Sequence, residues 1–347
     1  MKIQNKFFKN LNKTYVIAEI GVNHNNNLQI AKRLIDYAKK AGADAVKFQT
    51  FSADRLVIPG ARKVKYQKSS AKDLESHYQM IKRLELSYKD HKILFNHCKK
   101  KKIEFISTPY DVKSAQFLNN LGVKIFKTAS ADIIDFKLHQ YLSKLNKPVI
   151  ISTGMSSIKE IKRTFKFYNR NKGNIALLHC VSNYPCSLQS LNLNSLHVLK
   201  KSFKCSIGFS DHTGGNEASC LSVALGSSII EKHFTLDKKM KGPDHKASCN
   251  PFELKKLIKD LRKTEMILGE YVKKRQKEET EMANISRKSL YYAKNLKKNS
   301  TLNENSLIAL RPGLGVSPML LPKIIGKKIN KKVKLNDQFK FEHLKNA

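Results

Sequence analysis

Tryptophan is absent from this chain, cysteine is sparse, and acidic residues number 28 against 66 lysines and arginines in 347 positions. The cysteines, Cys98, Cys180, Cys186, Cys205, Cys220 and Cys249, are scattered without a CxxC pair or zinc-like spacing. That excludes a thiolate zinc site and a disulfide-built scaffold, and predicts reduced thiols without chemistry of their own. No window approaches the roughly 20 apolar residues that span a bilayer. The stretch MKIQNKFFKNLNKTYVIAEIG has no apolar core followed by a small-residue cleavage site. A soluble, cytoplasmic protein without a membrane partner is the expectation.

The shortage of acid leaves a net charge of +38. A surplus of that size raises the prospect of a polyanion partner, since basic patches gain from counterion release. The lysines, however, run along the whole chain in short clusters such as Lys99–Lys102, amid abundant asparagine and isoleucine. With no tryptophan, no finger spacing and no RNP-like aromatic motif to read bases, no nucleic-acid partner is expected. The charge is a solvated face that helps to draw in anionic substrates.

What is present in quantity is the short β-rich run. YVIAEIG, AVKFQTF, IEFISTP, IFKTAS, VIISTG, IALLHCVS, CSIGFSDH and SIIEKHF follow one another from Tyr15 to Phe234. Stretches with helical period separate most of them, for example LQIAKRLIDYAKKAGA and VKSAQFLNNLG, the latter stopped by glycine. Strands alternating with helices predict right-handed βαβ units, and eight of them predict closure into an α/β fold of the (β/α)8 TIM-barrel type. The one long interruption, Ser52 to Leu86, is expected to be an extended loop over the barrel's C-terminal end.

Nearly every run carries its polar residues at its C-terminal end. These are Glu19; Lys47 and Gln49; Thr108; Lys127 and Ser130; Ser152; His179 and Ser182; Ser210, Asp211 and His212; Glu231 and His233. In a barrel all of these ends meet at one mouth, where barrel active sites form. Lys47 and Lys127 with the hydroxyls of Thr108, Ser130, Ser152 and Ser210 suit a ligand rich in carboxylate and phosphate oxygens. STGMSSIKE and SDHTGG each run into an expected helix N-terminus, where backbone N–H groups favour anions and where Ser also serves as an ordinary cap. His212 and His233 stand one βα unit apart, with Glu19, Asp211 and Glu231 nearby. Nitrogen and oxygen donors without thiolate suit Mn²⁺, Mg²⁺ or a similar divalent metal ion with open positions, acting as a Lewis acid on a carbonyl.

The blocks AEIGVNHNNNL, AGADAVKFQTF, STPYD, KTASADI, ISTGM, LLHCVSNYP, GFSDHT, EKHFTLDKKMKGPDH and RKSLYYAKNLKKNSTL…LRPGLGVSP occur in order. Together they resemble the sialic acid synthases, the makers of N-acetylneuraminate, legionaminate and related nonulosonates. The resemblance implies a barrel at 1–261, a helical linker at 262–283 and a small antifreeze-like (SAF) domain at 284–347, with domain-swapped homodimers. It implies condensation of phosphoenolpyruvate with an N-acetylmannosamine-type aldehyde and water. In that reaction Lys47, Thr108, Lys127, Ser130, Ser152, Ser182 and Ser210 would bind phosphoenolpyruvate, and His212 and His233 would ligate the metal. Gln49, Tyr184 and Asp244 would face the sugar, and Arg311 of a second subunit would reach its N-acyl group. Glu19 is the expected general base or water-positioning group, since a carboxylate near a metal and two lysines stays ionised.

Three departures bear on substrate. Asp132 stands where many members carry glutamate, so a catalytic carboxylate is kept with shorter reach. The loop VIPGARKVKYQKSS lacks an asparagine after Pro-Gly, and RKVKYQK looks more like the legionaminate-type enzymes. KGPDH argues against the pseudaminate branch. The acceptor is left between N-acetylmannosamine, plain or phosphorylated, and a 2,4-diacetamido-2,4,6-trideoxymannose. A barrel synthase using a phosphorylated aldose would lack the tail at 284–347. A basic nucleic-acid-binding protein and an inactive antifreeze-like protein are the remaining rivals, and the second is disfavoured by the lysines and histidines kept at the mouth.

Overall fold

The computed structural model describes residues 7–11, 13–64, 67 and 75–345, and its chain divides into two compact units, Met1–Gly269 and Glu270–Ala347. In the first, eight parallel strands close in chain order. They are β1 (Tyr15–Gly21), β2 (Ala45–Thr50), β3 (Glu104–Pro109), β4 (Phe126–Thr128), β5 (Val149–Ser152), β6 (Ile175–His179), β7 (Ser206–Asp211) and β8 (Ile229–His233). β8 returns to pair with β1, Glu19 lying beside His233. Each strand matches one of the eight apolar runs. The runs are near-continuously apolar because a parallel barrel strand is buried on both faces.

Among the described residues of this unit ten α-helices occur: α1 (Leu28–Ala41), α2 (Ala53–Leu56), α3 (His77–Leu84), α4 (Tyr88–Lys101), α5 (Val112–Leu121), α6 (Phe136–Lys144), α7 (Ile158–Phe165), α8 (Ser195–Ser202), α9 (Glu217–Ala224) and α10 (Pro251–Leu268). α1 shows why they form where they do. Asn27 caps its start by accepting from the backbone N–H of Gln29 and Ile30, and Gly42 ends it in the left-handed conformation. Ala31, Leu34, Ile35 and Ala38 make the buried stripe between those signals.

Inside the barrel, Ile17, Ala45, Ile106, Ile125, Ile150, Ala176, Leu178 and Ile229 fill the lower layers, and Phe8 plugs the N-terminal end. Side chains two residues further along the same strands therefore point to the C-terminal mouth.

The stretch from Ser52 to Leu86 is not simply an extended loop. Its described residues include α2 and α3, and α3 is fixed by a Ser76–Gln79 capping box. Met80 and Leu84 of α3 pack with Val22 and Phe51 in a small apolar cluster beside the mouth. Lys65, Tyr66 and Lys68 of the RKVKYQK motif lie outside the described residues.

The second unit holds α11 (Glu279–Ser286) and an antiparallel pair, β9 (Ser289–Tyr292) with β10 (Leu307–Leu310). Its own core gathers Leu290, Tyr292, Leu307, Ile324, Ile329, Val333 and Phe339. Arg262 to Leu268 continue α10 and α11 begins at Glu279, but residues 269–278 are not helical, so the expected helical linker at 262–283 is interrupted.

Candidate active site

A cavity of about 440 Å³ opens at the C-terminal ends of the barrel strands. Glu19, Lys47, Gln49, Thr108, Lys127, Ser130, Asp132, Ser152, Ser182, Tyr184, Ser210, His212, His233 and Asp244 all line it. Residues from all eight strands and the segments that follow them thus reach one space, as the strand-end pattern predicts. Arg311 belongs to the second unit, where it is exposed just past β10.

Three expectations need correction. His179 and Asp211 stand at strand ends but do not face the cavity, because each is out of phase with the inward set. His179 alternates outward from Leu178, and its Nε2 meets the carbonyl of Leu191 at 2.7 Å. Asp211 alternates outward from Ser210 and is bound behind the barrel by Lys232, so it cannot join His212 and His233 around a cation. The helix start after STGMSS is closed by its own side chains, Ser157 and Glu160 forming a capping box on α7; there the capping reading prevails.

The floor is a buried cluster of alternating charge. Lys47 Nζ lies 2.8 Å from Glu19 Oε2 and 3.8 Å from Glu231 Oε2, and donates to Thr108 Oγ1 at 3.2 Å. Lys127 Nζ lies 3.8 Å from Glu231 Oε1 and donates to Ser152 Oγ and to the carbonyl of Thr128. Ser210 Oγ donates to Glu231 Oε1 at 3.0 Å. Both lysines and both glutamates are under 5% exposed. Burial works against the charge on Lys47, but Glu19 and Glu231 outweigh it and hold the ammonium. Burial lowers Lys127, with Glu231 pulling the other way. Burial also lifts the carboxyl of Glu19 upward against the pull of Lys47, while on Glu231 the two lysines overcome burial and keep it ionised.

Glu231, which the sequence marks only as a carboxylate near the two histidines, stands between the two lysines. The signal was in its register, since it pairs with Ser210 and lies two residues after inward Ile229.

Glu19 owes its aim to the backbone. The β1–β2 register shifts between Glu19 and Gly21, and Gly21 takes φ +54°. A β-carbon there would stand 3.1 Å from Glu19 Oε1 and 3.2 Å from Gln49 Nε2, the pair that hydrogen-bonds at 3.2 Å.

Gly154 is a residue that pattern reading missed. It sits in a cradle where an added β-carbon would meet Ser182 Oγ at 2.5 Å, Ser130 Oγ at 2.9 Å and Cys180 Sγ at 3.0 Å. Its N–H donates to Ser130 Oγ. Gly154→Ala is expected to fold normally, because the obstructing atoms are side-chain ends, and to raise the KM for an anionic substrate about tenfold or more as those hydroxyls are displaced. Initial-rate kinetics with a melting curve check both halves.

His212 and His233 stand side by side, ring centroids 5.5 Å apart, with Tyr184 against both. Burial keeps both imidazoles neutral, His212 falling to about 4 and His233 well below its ordinary value, the latter pushed further by His212. His212 Nδ1 meets the carbonyl of Val181 at 2.7 Å, so this nitrogen donates and Nε2 keeps its lone pair. His233 Nδ1 is buried without a hydrogen-bond partner. Two neutral rings, His212 with Nε2 at 3.2 Å from the Ser210 hydroxyl and His233 with Nδ1 unpartnered, fit a divalent cation. Among the described residues no group of three or more His, Cys, Asp or Glu is arranged as a ligand set, so the protein would supply two ligands and leave the other positions to water and substrate.

Two further carboxyls border the cavity. Burial lifts Asp132 to about 7, helped by Asp135 and opposed by Lys127, and its Oδ2 is buried without a partner. Burial alone lifts Asp244 to about 6. The remaining wall is largely apolar, with Phe51, Leu56, Val57, Met80, Ile81 and Leu84, and carries Gln67, His77 and Tyr110 among them.

Comparison with known proteins comes to the same place. Residues 34–273 match the model of the NeuB family. The chain is 44% identical over 327 residues to the N,N'-diacetyllegionaminic acid synthase of Campylobacter jejuni, covering 93% of this chain and 98% of that one. It is 40% identical over 335 residues to the enzyme of the same name from Legionella pneumophila, covering 95% and 94%. Among solved structures, the N-acetylneuraminic acid synthetase of Leptospira borgpetersenii, in complex with citrate, superposes with a TM-score of 0.70 at 35% identity, covering 78% of this chain and 90% of that one.

Proposed function

The chain belongs to the NeuB family, and from that premise we propose that it condenses phosphoenolpyruvate with an acylated mannosamine aldehyde and water, releasing a nonulosonate and inorganic phosphate. The observation that carries this reading is the two-sided cavity, with buried Lys47 and Lys127 at one end and an apolar wall at the other.

The wall also bears on the acceptor. A methyl at C6 and a second acetamido methyl would bury apolar surface against Leu56, Met80, Ile81 and Leu84. The proposed acceptor is therefore the 2,4-diacetamido-2,4,6-trideoxymannose and the product a legionaminate.

In this reaction the C3 carbon of phosphoenolpyruvate bonds to the aldehyde carbon, water oxygen adds at C2, and the C2–O bond to phosphate breaks. Lys47, Lys127, Thr108, Ser130, Ser152, Ser182 and Ser210 hold the carboxylate and phosphate oxygens by charge-assisted hydrogen bonds. Glu231 keeps the lysine pair in place and protonated, and its own negative charge offsets part of theirs when the substrate is absent. Glu19, lifted by burial, takes a proton from the attacking water. Gln49, Tyr184 and Asp244 orient the sugar, and Asp132, whose carboxyl is lifted by burial, is a second proton-holding group in the cavity lining. A divalent cation, of the Mn²⁺ or Mg²⁺ type, supplies Lewis-acid polarisation of the aldehyde oxygen when held by His212 and His233. The antifreeze-like assignment of 284–347 and a homodimer in which Arg311 serves a second subunit's site belong to the same proposal, supported by the family resemblance.

Mass analysis of the product and phosphate release across a mannosamine panel tests it. The trideoxy diacetamido sugar is expected to exceed N-acetylmannosamine by about 30-fold or more in kcat/KM, the scale of two buried apolar groups. No release with any acylated mannosamine overturns the synthase reading; a preference for N-acetylmannosamine or its phosphate overturns only the acceptor.

A further inference from the structure

Lys232 sits between Glu231 and His233 on β8, and alternation turns it away from the mouth into the layer between barrel and helices. Parallel barrel strands carry apolar residues on that face, as Ile230 does two positions earlier. Lys232 is 3% exposed, and its three donors are all used. Nζ lies 2.9 Å from Asp211 Oδ2 and donates to the carbonyls of Thr213 at 2.7 Å and Gly215 at 3.1 Å. Asp211, 1% exposed, is filled as completely. Its Oδ1 accepts from the N–H and the hydroxyl of Thr213, and its Oδ2 also accepts from Ser219 of α9.

This network pins the residues on both sides of His212. The ring of His212 points the other way, into the cavity, tied by Nδ1 to the Val181 carbonyl while its own carbonyl accepts from the Cys186 N–H. A buried ion pair adds little stability over apolar residues of the same volume, since desolvation offsets the attraction. Its distinctive product is geometry: three directed bonds from one ammonium fix the turn from Asp211 to Gly215 against β8.

We propose that Lys232, through Asp211, is a positioning residue that holds the 212–215 turn so that the His212 and His233 rings face one cation. The role rests on the cation reading of these two histidines given above. It assigns a function to Asp211, which lies too far behind the barrel wall to act at the mouth itself.

The test uses Mn²⁺ alone as probe, with free Mn²⁺ read by electron paramagnetic resonance. Lys232→Met leaves Asp211 buried and unpaired and is expected to destabilise the fold, so the informative protein is the neutral pair Asp211→Asn with Lys232→Met. That double variant regains most of the melting temperature because no uncompensated charge remains, and the amide oxygen introduced at position 211 still accepts from Thr213. Positioning predicts at least tenfold weaker Mn²⁺ binding in the double variant, a matching fall in kcat and little change in the KM for phosphoenolpyruvate. A double variant that melts like wild type and binds Mn²⁺ like wild type overturns the positioning role and makes the pair merely structural. Wild-type protein that binds no Mn²⁺ overturns the histidine reading and the positioning role together.

Discussion

Lys127→Met is expected to yield a folded protein whose turnover is at least about 1000-fold below wild type. Lys127 is 2% exposed, and burial already disfavours its charge, so an unbranched apolar side chain of similar length fits the same channel without a cavity. Glu231 keeps Lys47 and Ser210 as partners, so the fold should hold with a melting temperature lowered by several degrees. The functional loss is large because the ammonium donates in a dry site. There it is the nearest cation to Ser152 and one of two that can meet the substrate's oxygens, and removing one such preorganised contact costs on the order of 100-fold to 1000-fold. Glu231 adds to the loss, since without Lys127 its carboxyl is left to Lys47 and Ser210 alone. A wild-type rate of phosphate release from a well-folded Lys127→Met protein would contradict the placement of phosphoenolpyruvate at the barrel floor.

Asp132→Asn should separate stability from activity. Its folded carboxyl titrates near 7, lifted first by burial and then by Asp135, against the pull of Lys127, while in the unfolded chain it titrates near 4. The folded state then holds the proton more tightly, so wild-type stability falls as pH rises between about 4 and 7 and the penalty is complete above 7. Allowing for the partial exposure of this residue, the penalty is on the order of 2 kcal/mol at pH 8. Asparagine does not titrate and should melt several degrees above wild type at pH 8. That advantage should shrink to about half near pH 5.5. Turnover should fall by about 100-fold or more, because the amide cannot take up a proton. A variant that is both unstabilised at pH 8 and fully active would show that Asp132 is an ordinary surface carboxylate.

The barrel was legible because its signal is crude and repeated. Eight apolar runs, each buried on both faces and each ended by polar residues, leave few alternatives to a closed parallel sheet. Which strand-end residues face inward was less legible, because residues at the last two positions of a strand point to opposite sides and adjacent letters look alike. His179 beside Leu178 and Asp211 beside Ser210 show the difficulty, and only the register separates them. The bridging role of Glu231 and the role of Gly154 were not legible for another reason. A glutamate between two lysines is a three-dimensional relation among β2, β4 and β8, and a glycine's role here is the space it leaves. The helices of the 52–86 stretch are short, eight residues or fewer, and hold themselves by a cap and by contact with Val22 and Phe51, which no window of sequence contains.

The cavity's two ends also differ in origin. The anion-binding end is made by strand termini whose positions are locked by the closed sheet, while much of the apolar end is carried by α2, α3 and their neighbours, an insertion between β2 and β3. Sequence drift in that insertion reshapes the acceptor's surroundings without moving Lys47, Lys127 or either histidine. Such a protein is modular within one domain: a fixed engine for activating one substrate, with an exchangeable adaptor for the other, so that new nine-carbon sugars can arise by replacing a single connecting segment.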